Sequence, residues 1–196
     1  MKKEYTIPLL AIVLCTVLLL GVTLGLNGIT AERANRQHLE MLETLLPGST
    51  EFTRESYTGE DSNIVSVHKG QTGFVVETTT YGYAGNITML VGVSKEGKVT
   101  GLLVADAHET LGLGSKALSD TDFLAQFLNK TGEFSVKTAG ADAFSGATGE
   151  ASEDAMEVDA LTGATVTSKA VVRCVNSAIA YVTGADVVSA ATSWGG

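Results

Sequence analysis

Apolar and polar positions divide the chain into an uncharged leader, a strand-rich middle and a helical end. Residues 5–31 carry no charge, and 7–29 are mostly Leu, Val, Ile, Thr and Gly. As a helix, that run is long enough to cross a hydrocarbon core of about 30 Å. A cleaved signal peptide is the rival reading, but the run is long for one and no clear A-x-A site follows it. Thr30 is placed to cap a continuation over 31–46. Leu39, Leu42, Leu45 and Leu46 mark its apolar side, and Pro47-Gly48 ends it. The polar residues 49–62 read as a loop. Runs rich in Val, Ile and Thr then predict strands at 63–68, 74–80, 87–94 and 99–105. Lys95-Glu96-Gly97 predicts a hairpin loop, and the short links imply antiparallel pairing. Ser119 is placed to cap a helix through 129, with Phe123, Leu124, Phe127 and Leu128 on its apolar face. A strand at 134–137 and a small, acidic, aperiodic loop at 138–157 come next. From Lys169, the residues Val171, Val172, Val175, Ala178, Ile179 and Val182 recur at helical spacing. The expected fold class is α+β: a single N-terminal transmembrane helix, then an antiparallel-sheet domain with packed helices.

The stretch before the last helix is the best candidate for chemistry. Asp159-Ala160-Leu161-Thr162-Gly163-Ala164-Thr165 runs into Val166-Thr167-Ser168 and the helix itself. The hydroxyls of Thr165, Thr167 and Ser168 sit where first-turn N–H groups need caps. A helix start also attracts a phosphate through those N–H groups and the dipole. Gly163 and Ala164 let a bulky anion approach the backbone. An ordinary capped helix after a turn satisfies the same spacing. The short pattern recurs at Asp142-Ala143-Phe144-Ser145-Gly146-Ala147-Thr148, where Gly149, Glu150, Glu153 and Asp154 follow. A phosphate there would sit among carboxylates with no helix to receive it, so Thr165 is preferred to Thr148.

Charge and cysteines narrow the chemistry. A net charge of −9 argues against nucleic acid as a partner, and against anionic lipid headgroups. Cys15 lies in the apolar run, so it is not placed to form a disulfide with Cys174. Two thiols cannot hold a conventional iron–sulfur cluster within one chain, and there is no C-x-x-C-H haem site. An electron carrier here must be organic. His38, His68 and His108 fall on separate elements, no G-x-S-x-G is present, and no metal-ligand spacing stands out. Neither catalytic nor metal-binding residues are expected.

The D-x-x-[S/T]-G-A-T pattern, followed by [S/T]-S and a helix, resembles the flavinylation motif of the FMN-binding domain family. That family includes the G subunits of Rnf electron-transport complexes and the C subunits of sodium-pumping NADH:quinone reductases. Carried over residue by residue, the resemblance implies FMN joined through its phosphate to Thr165, with Thr162, Gly163 and Ala164 in the same loop. His108-Glu109-Thr110-Leu111-Gly112-Leu113-Gly114 resembles the family's E-T-P-G-L-G loop. Leu111 replaces the usual Pro, and Ala107 stands where the family tends to carry His. Glu109, Thr110, Gly112, Leu113 and Gly114 are the implied contacts to the cofactor; a plain strand-to-helix turn is the alternative. Tyr81-Gly82-Tyr83-Ala84-Gly85-Asn86 resembles the family's G-Y-x-G segment, and turn chemistry explains it equally well.

The resemblance spans most of 35–183. It implies a cytoplasmic tail and anchor over 1–31, a juxtamembrane helix and loop over 32–62, an FMN-binding domain over 63–183 and a tail over 184–196. Lys2 and Lys3 balance Arg33 and Arg36, so charge does not orient the anchor. The resemblance orients it, with the domain outside the inner or plasma membrane. The implied function is a covalent flavoprotein subunit relaying electrons in an Rnf-type ion-translocating ferredoxin:NAD oxidoreductase. The implied partners are other membrane subunits and, during maturation, a flavin transferase that uses FAD and magnesium. The chain is short for the C subunit of a sodium-pumping quinone reductase, the second implied identity. An anchored assembly protein with an unused motif is a third reading.

Overall fold

Strand order in the main sheet follows chain order. Thr53–Glu55 (β1), Ile64–Lys69 (β2), Gly73–Tyr81 (β3), Asn86–Ser94 (β4) and Val99–Ala107 (β5) form one five-stranded sheet, each antiparallel to the next. The computed structural model describes residues 6–109, 114–137 and 155–185. The four expected strands are the last four of the sheet, and their short links explain the order. Gly97 closes the expected hairpin with φ +78°, its N–H donating to Ser94 O at 2.9 Å.

Helices cover both faces of this sheet. Thr165–Thr183 (α4) lays Ala170, Val171, Cys174, Val175 and Ala178 against Val67, Val76, Ile87, Met89 and Val91. On the other face, Leu42, Leu45 and Leu46 pack on Val75 and Leu90. Each fully buried leucine contributes about 2 kcal/mol. Gly92 pairs with Gly101 beneath them, and a Cβ at either position would run into the Leu45 backbone. Thr100 Oγ1 donates to the Leu45 carbonyl at 2.6 Å. Two glycines thus form a bare floor on which a main chain sits. The turn after it is locked to the β2–β3 link: Ser49 Oγ accepts from Thr72 N–H at 3.0 Å, and Gln71 Oε1 from Thr50 N–H at 2.8 Å.

The chain divides into two units, Met1–Met41 and Leu42–Gly196. A helix, Thr6–Leu45 (α1), contains the uncharged run, with Val13, Leu14, Val17, Leu18, Leu19 and Leu20 exposed at 55–63%. Thr30 lies inside this helix and not at the start of a new one, so the expected cap has no helix end to serve. Among the described residues, no helix is long and apolar enough to cross a membrane. What stands of the expected class is therefore an antiparallel sheet with packed helices.

Three further expectations change. Residues 49–62 contain β1, which is stitched to β2 by Lys69 Nζ to Glu55 at 3.3 Å. Of the helix expected from Ser119 through 129, only Thr121–Ala125 (α3) forms, and a separate short helix, Gly114–Ser119 (α2), precedes it. Asp120 rather than Ser119 caps α3, accepting from Asp122 and Phe123 N–H at 3.0 Å each. Its carboxylate has taken the cap, while the Ser119 hydroxyl donates back to Ser115 O. Finally, Met156–Asp159 (β7) lies partly inside the expected loop and pairs with Phe134–Lys137 (β6) in parallel. The antiparallel description holds for the main sheet and not for this second one.

Candidate functional site

β7 delivers the chain to the Asp159–Thr165 loop. Val158 is buried and fixes the strand, while Asp159 is exposed. The loop is tightened by Ala164 N–H to Leu161 O at 2.9 Å, and Gly163 takes φ +79°, a value that favours glycine. Ser168 then reaches back from the helix. Its buried Oγ accepts from Leu161 N–H at 3.3 Å and donates to Ala164 O at 3.0 Å.

This corrects the expected capping. The residue before α4 is Ala164, and no side chain caps the helix. Thr167 and Ser168 are buried, and Ser168 is spent on the loop. First-turn N–H groups have no acceptor within their own helix. Thr165 opens α4 half-buried, and its hydroxyl makes no hydrogen bond among the described residues. Thr162 and Gly163 beside it are exposed.

A second cluster forms at the end of β3 and β5. The turn between β3 and β4 closes through Gly82 N–H to Gly85 O at 2.8 Å. Arg173, projecting from α4, donates from Nη2 to Tyr81 O at 3.0 Å. Glu109 Oε1 accepts from Tyr83 N–H at 2.7 Å. A Cβ on Gly82 would collide with the Glu109 carboxylate, and one on Gly114 would meet Glu109 Oε2 at 2.5 Å. The two motifs are therefore joined: Glu109 lies between the Gly82 turn and Gly114. Its Oε2 is buried without a partner among the described residues, as is Arg173 Nε. Thr110, Gly112 and Leu113 lie outside the described residues, as does Thr148. α2, which begins at Gly114, packs on α4. Among the described residues, Glu109 bonds to Tyr83 and not to Thr165.

Sequence reasoning missed Arg173, Gln126 and Asn176. Gln126 holds the Asp159 backbone, and Asn176 holds Phe134 in the same way, with 2.9 Å to both its N–H and its O. A lone polar residue beside an apolar helical stripe carries no signal of such a partner. Cys174 is buried on the face of α4 that meets the sheet, and burial pushes its thiol up, against the hydrogen bond it shares with Thr80. Among the described residues no group of three or more His, Cys, Asp or Glu could hold a metal.

The arrangement suits a phosphate ester. α4 runs for 19 residues, its first turn has no side-chain cap, the glycine beside it is exposed, and among the described residues a threonine hydroxyl there makes no hydrogen bond. The FMN-binding domain profile matches residues 82–180, a span that holds the Gly82 turn, Glu109 and the Thr165 loop. The G subunit of the ion-translocating oxidoreductase complex of Haemophilus influenzae is 31% identical over 157 residues, covering 69% of this chain and 75% of that protein. The G subunit of the proton-translocating ferredoxin:NAD(+) oxidoreductase complex of Clostridium ljungdahlii is 36% identical over 116 residues, 56% of this chain and 53% of that one. The crystal structure of Shewanella oneidensis NqrC covers 72% of each chain at 17% identity, with a TM-score of 0.44. The chain belongs to the FMN-binding domain family.

Proposed function

We propose that this chain is a membrane-anchored flavoprotein subunit relaying electrons in an Rnf-type ion-translocating ferredoxin:NAD oxidoreductase, with FMN joined through its phosphate to Thr165. The observation that carries the reading is the Thr165 hydroxyl, without a hydrogen bond among the described residues, at the uncapped start of α4 and inside the matched domain. The names of the relatives support the setting. FMN supplies a ring that exchanges one or two electrons; the protein holds and tunes it. The first-turn N–H groups and helix dipole hold the phosphate. Thr162, Gly163 and Ala164 give it close access to the backbone. Glu109 Oε1 is held by Tyr83 N–H, so the part of Glu109 is to set the loop from which Thr110, Gly112, Leu113 and Gly114 meet the ring.

Attachment from FAD forms the Thr165 Oγ1–phosphorus bond and breaks the pyrophosphate bridge. AMP leaves, and the hydroxyl proton passes to a base of the flavin transferase. Thr165 is a modified residue and not a catalytic one in turnover. Residues 7–29 serve as the anchor, with the domain on the extracytoplasmic side and other membrane subunits as neighbours. The functional division is 1–31 for tail and anchor, 32–62 for the juxtamembrane segment, 63–183 for the flavin domain and 184–196 for the tail.

Two measurements test this. Chain made together with its transferase should gain the mass of one FMN phosphodiester, mapped to the Thr165 peptide. Flavin found on Thr148 alone, or none bound, would falsify the assignment. Protease added to right-side-out membranes should cut beyond residue 31; full protection until lysis rejects the orientation.

A further inference from the structure

The Thr165 loop has two ends, and only one is held from within. At the helix end, Ser168 binds Leu161 and Ala164. At the strand end the hold comes from outside the motif. Gln126 Oε1 accepts from Asp159 N–H at 2.8 Å, and Gln126 Nε2 donates to Asp159 O at 3.3 Å. One carboxamide thereby satisfies both backbone groups of one residue, as a neighbouring strand would. The pairing also fixes its orientation, because the N–H needs the oxygen and the carbonyl needs the NH2.

Gln126 is itself held. It ends α3, with its N–H on Phe123 O at 3.2 Å. Phe123 and Phe127 on either side are buried, their rings edge-to-face at 5.6 Å, and Phe127 packs on Phe134 at 5.1 Å. Moving Gln126 therefore means disturbing an aromatic core. The loop root inherits that rigidity.

We propose that Gln126 is a positioning residue for flavin attachment: it fixes the root of the acceptor loop and so presents the Thr165 hydroxyl to the transferase. This rests on the reading of Thr165 as the acceptor. Gln126 touches neither the hydroxyl nor the phosphate, and acts only through Asp159. Misplacement of a reacting group by about 1 Å is enough to slow a transfer greatly.

Asn176 supplies an internal control. It makes the same two-bond grip on Phe134, at the start of the neighbouring strand and away from the acceptor loop. Asn176 stands on α4 itself, about three turns beyond Thr165. Loss of either carboxamide costs the fold two hydrogen bonds of the same kind, but only Gln126 bonds the root of the acceptor loop.

The test uses full-length chain in detergent with flavin transferase, FAD and Mg²⁺. Initial labelling rates are read from flavin fluorescence on the denatured band, and amide hydrogen exchange is followed in parallel. Gln126→Ala should label about tenfold more slowly than wild type, the scale set by two neutral hydrogen bonds, and should lose protection at Asp159 N–H alone. Gln126→Glu keeps the acceptor and loses the donor; it should retain Asp159 protection and label at an intermediate rate. Asn176→Ala should lose protection at Phe134 and label within about twofold of wild type. Wild-type labelling rates in both Gln126 variants, or a slowing in Asn176→Ala equal to that in Gln126→Ala, overturn the proposal. Wild-type chain that takes no flavin on Thr165 overturns the underlying reading instead, and the proposal with it.

Discussion

The two loops of the candidate site are held by opposite means. Past its root at Asp159, which Gln126 holds, the Thr165 loop is closed by groups near one another in sequence: Leu161, Ala164 and Ser168, with Gly163 supplying the left-handed turn. The Gly82–Gly85 turn is gripped by long charged side chains from distant elements, Arg173 on α4 and Glu109 after β5. A loop closed locally can be presented as one unit to another enzyme. A turn gripped from two elements registers the placement of both.

The contrast can be broken at either side. The largest effect is expected from Thr165→Ala, which should abolish covalent flavin while changing stability by less than about 0.5 kcal/mol, since a hydroxyl without a hydrogen bond holds nothing in the fold. Intact mass and thermal unfolding check the pair; a folded variant that still carries FMN sinks the acceptor assignment. Next is Gly82→Ala. The new Cβ forces the Glu109 carboxylate away and removes its bond to Tyr83 N–H, at a cost of about 1–2 kcal/mol in denaturant unfolding. Flavin should still attach, because the Thr165 loop closes without that turn. Wild-type stability in this variant would show that Glu109 is not wedged there. The smallest effect belongs to Thr110→Val, which should shift the flavin absorption or midpoint potential and leave the covalent bond intact. An unchanged spectrum and potential would place that loop away from the ring.

The same contrast explains what could be read from sequence. β2, β3 and β4 announced themselves because each carries two or more buried branched residues, and Val171 to Ile179 did so for α4. β5 buries Val99 alone and was legible from its composition and its hairpin link to β4. The acceptor loop was legible as a run of neighbours. Its capping was not, because whether Ser168 turns outward to the helix end or back to Ala164 depends on the fold of the loop. β7 has one fully buried apolar side chain, Val158, too few to set a period. Arg173 and Tyr81 are partners across most of the domain, and no local pattern links them. Gln126 and Asn176 were invisible for the same reason. Glu109 was found only through a resemblance, and its contacts turned out to be with two glycines and a backbone N–H.

The floor made by Gly92 and Gly101 decides where this protein can be cut. The compact unit begins at Leu42, inside a helix that ends only at Leu45. A shortened chain starting after that helix would look tidy on paper, yet it would strip Leu42 and Leu45 from Val75 and Leu90 and bare two facing glycines to water. Such a fragment should be sticky and easily digested. One that begins in the late thirties keeps its lid on the sheet and is the form to make for solution work.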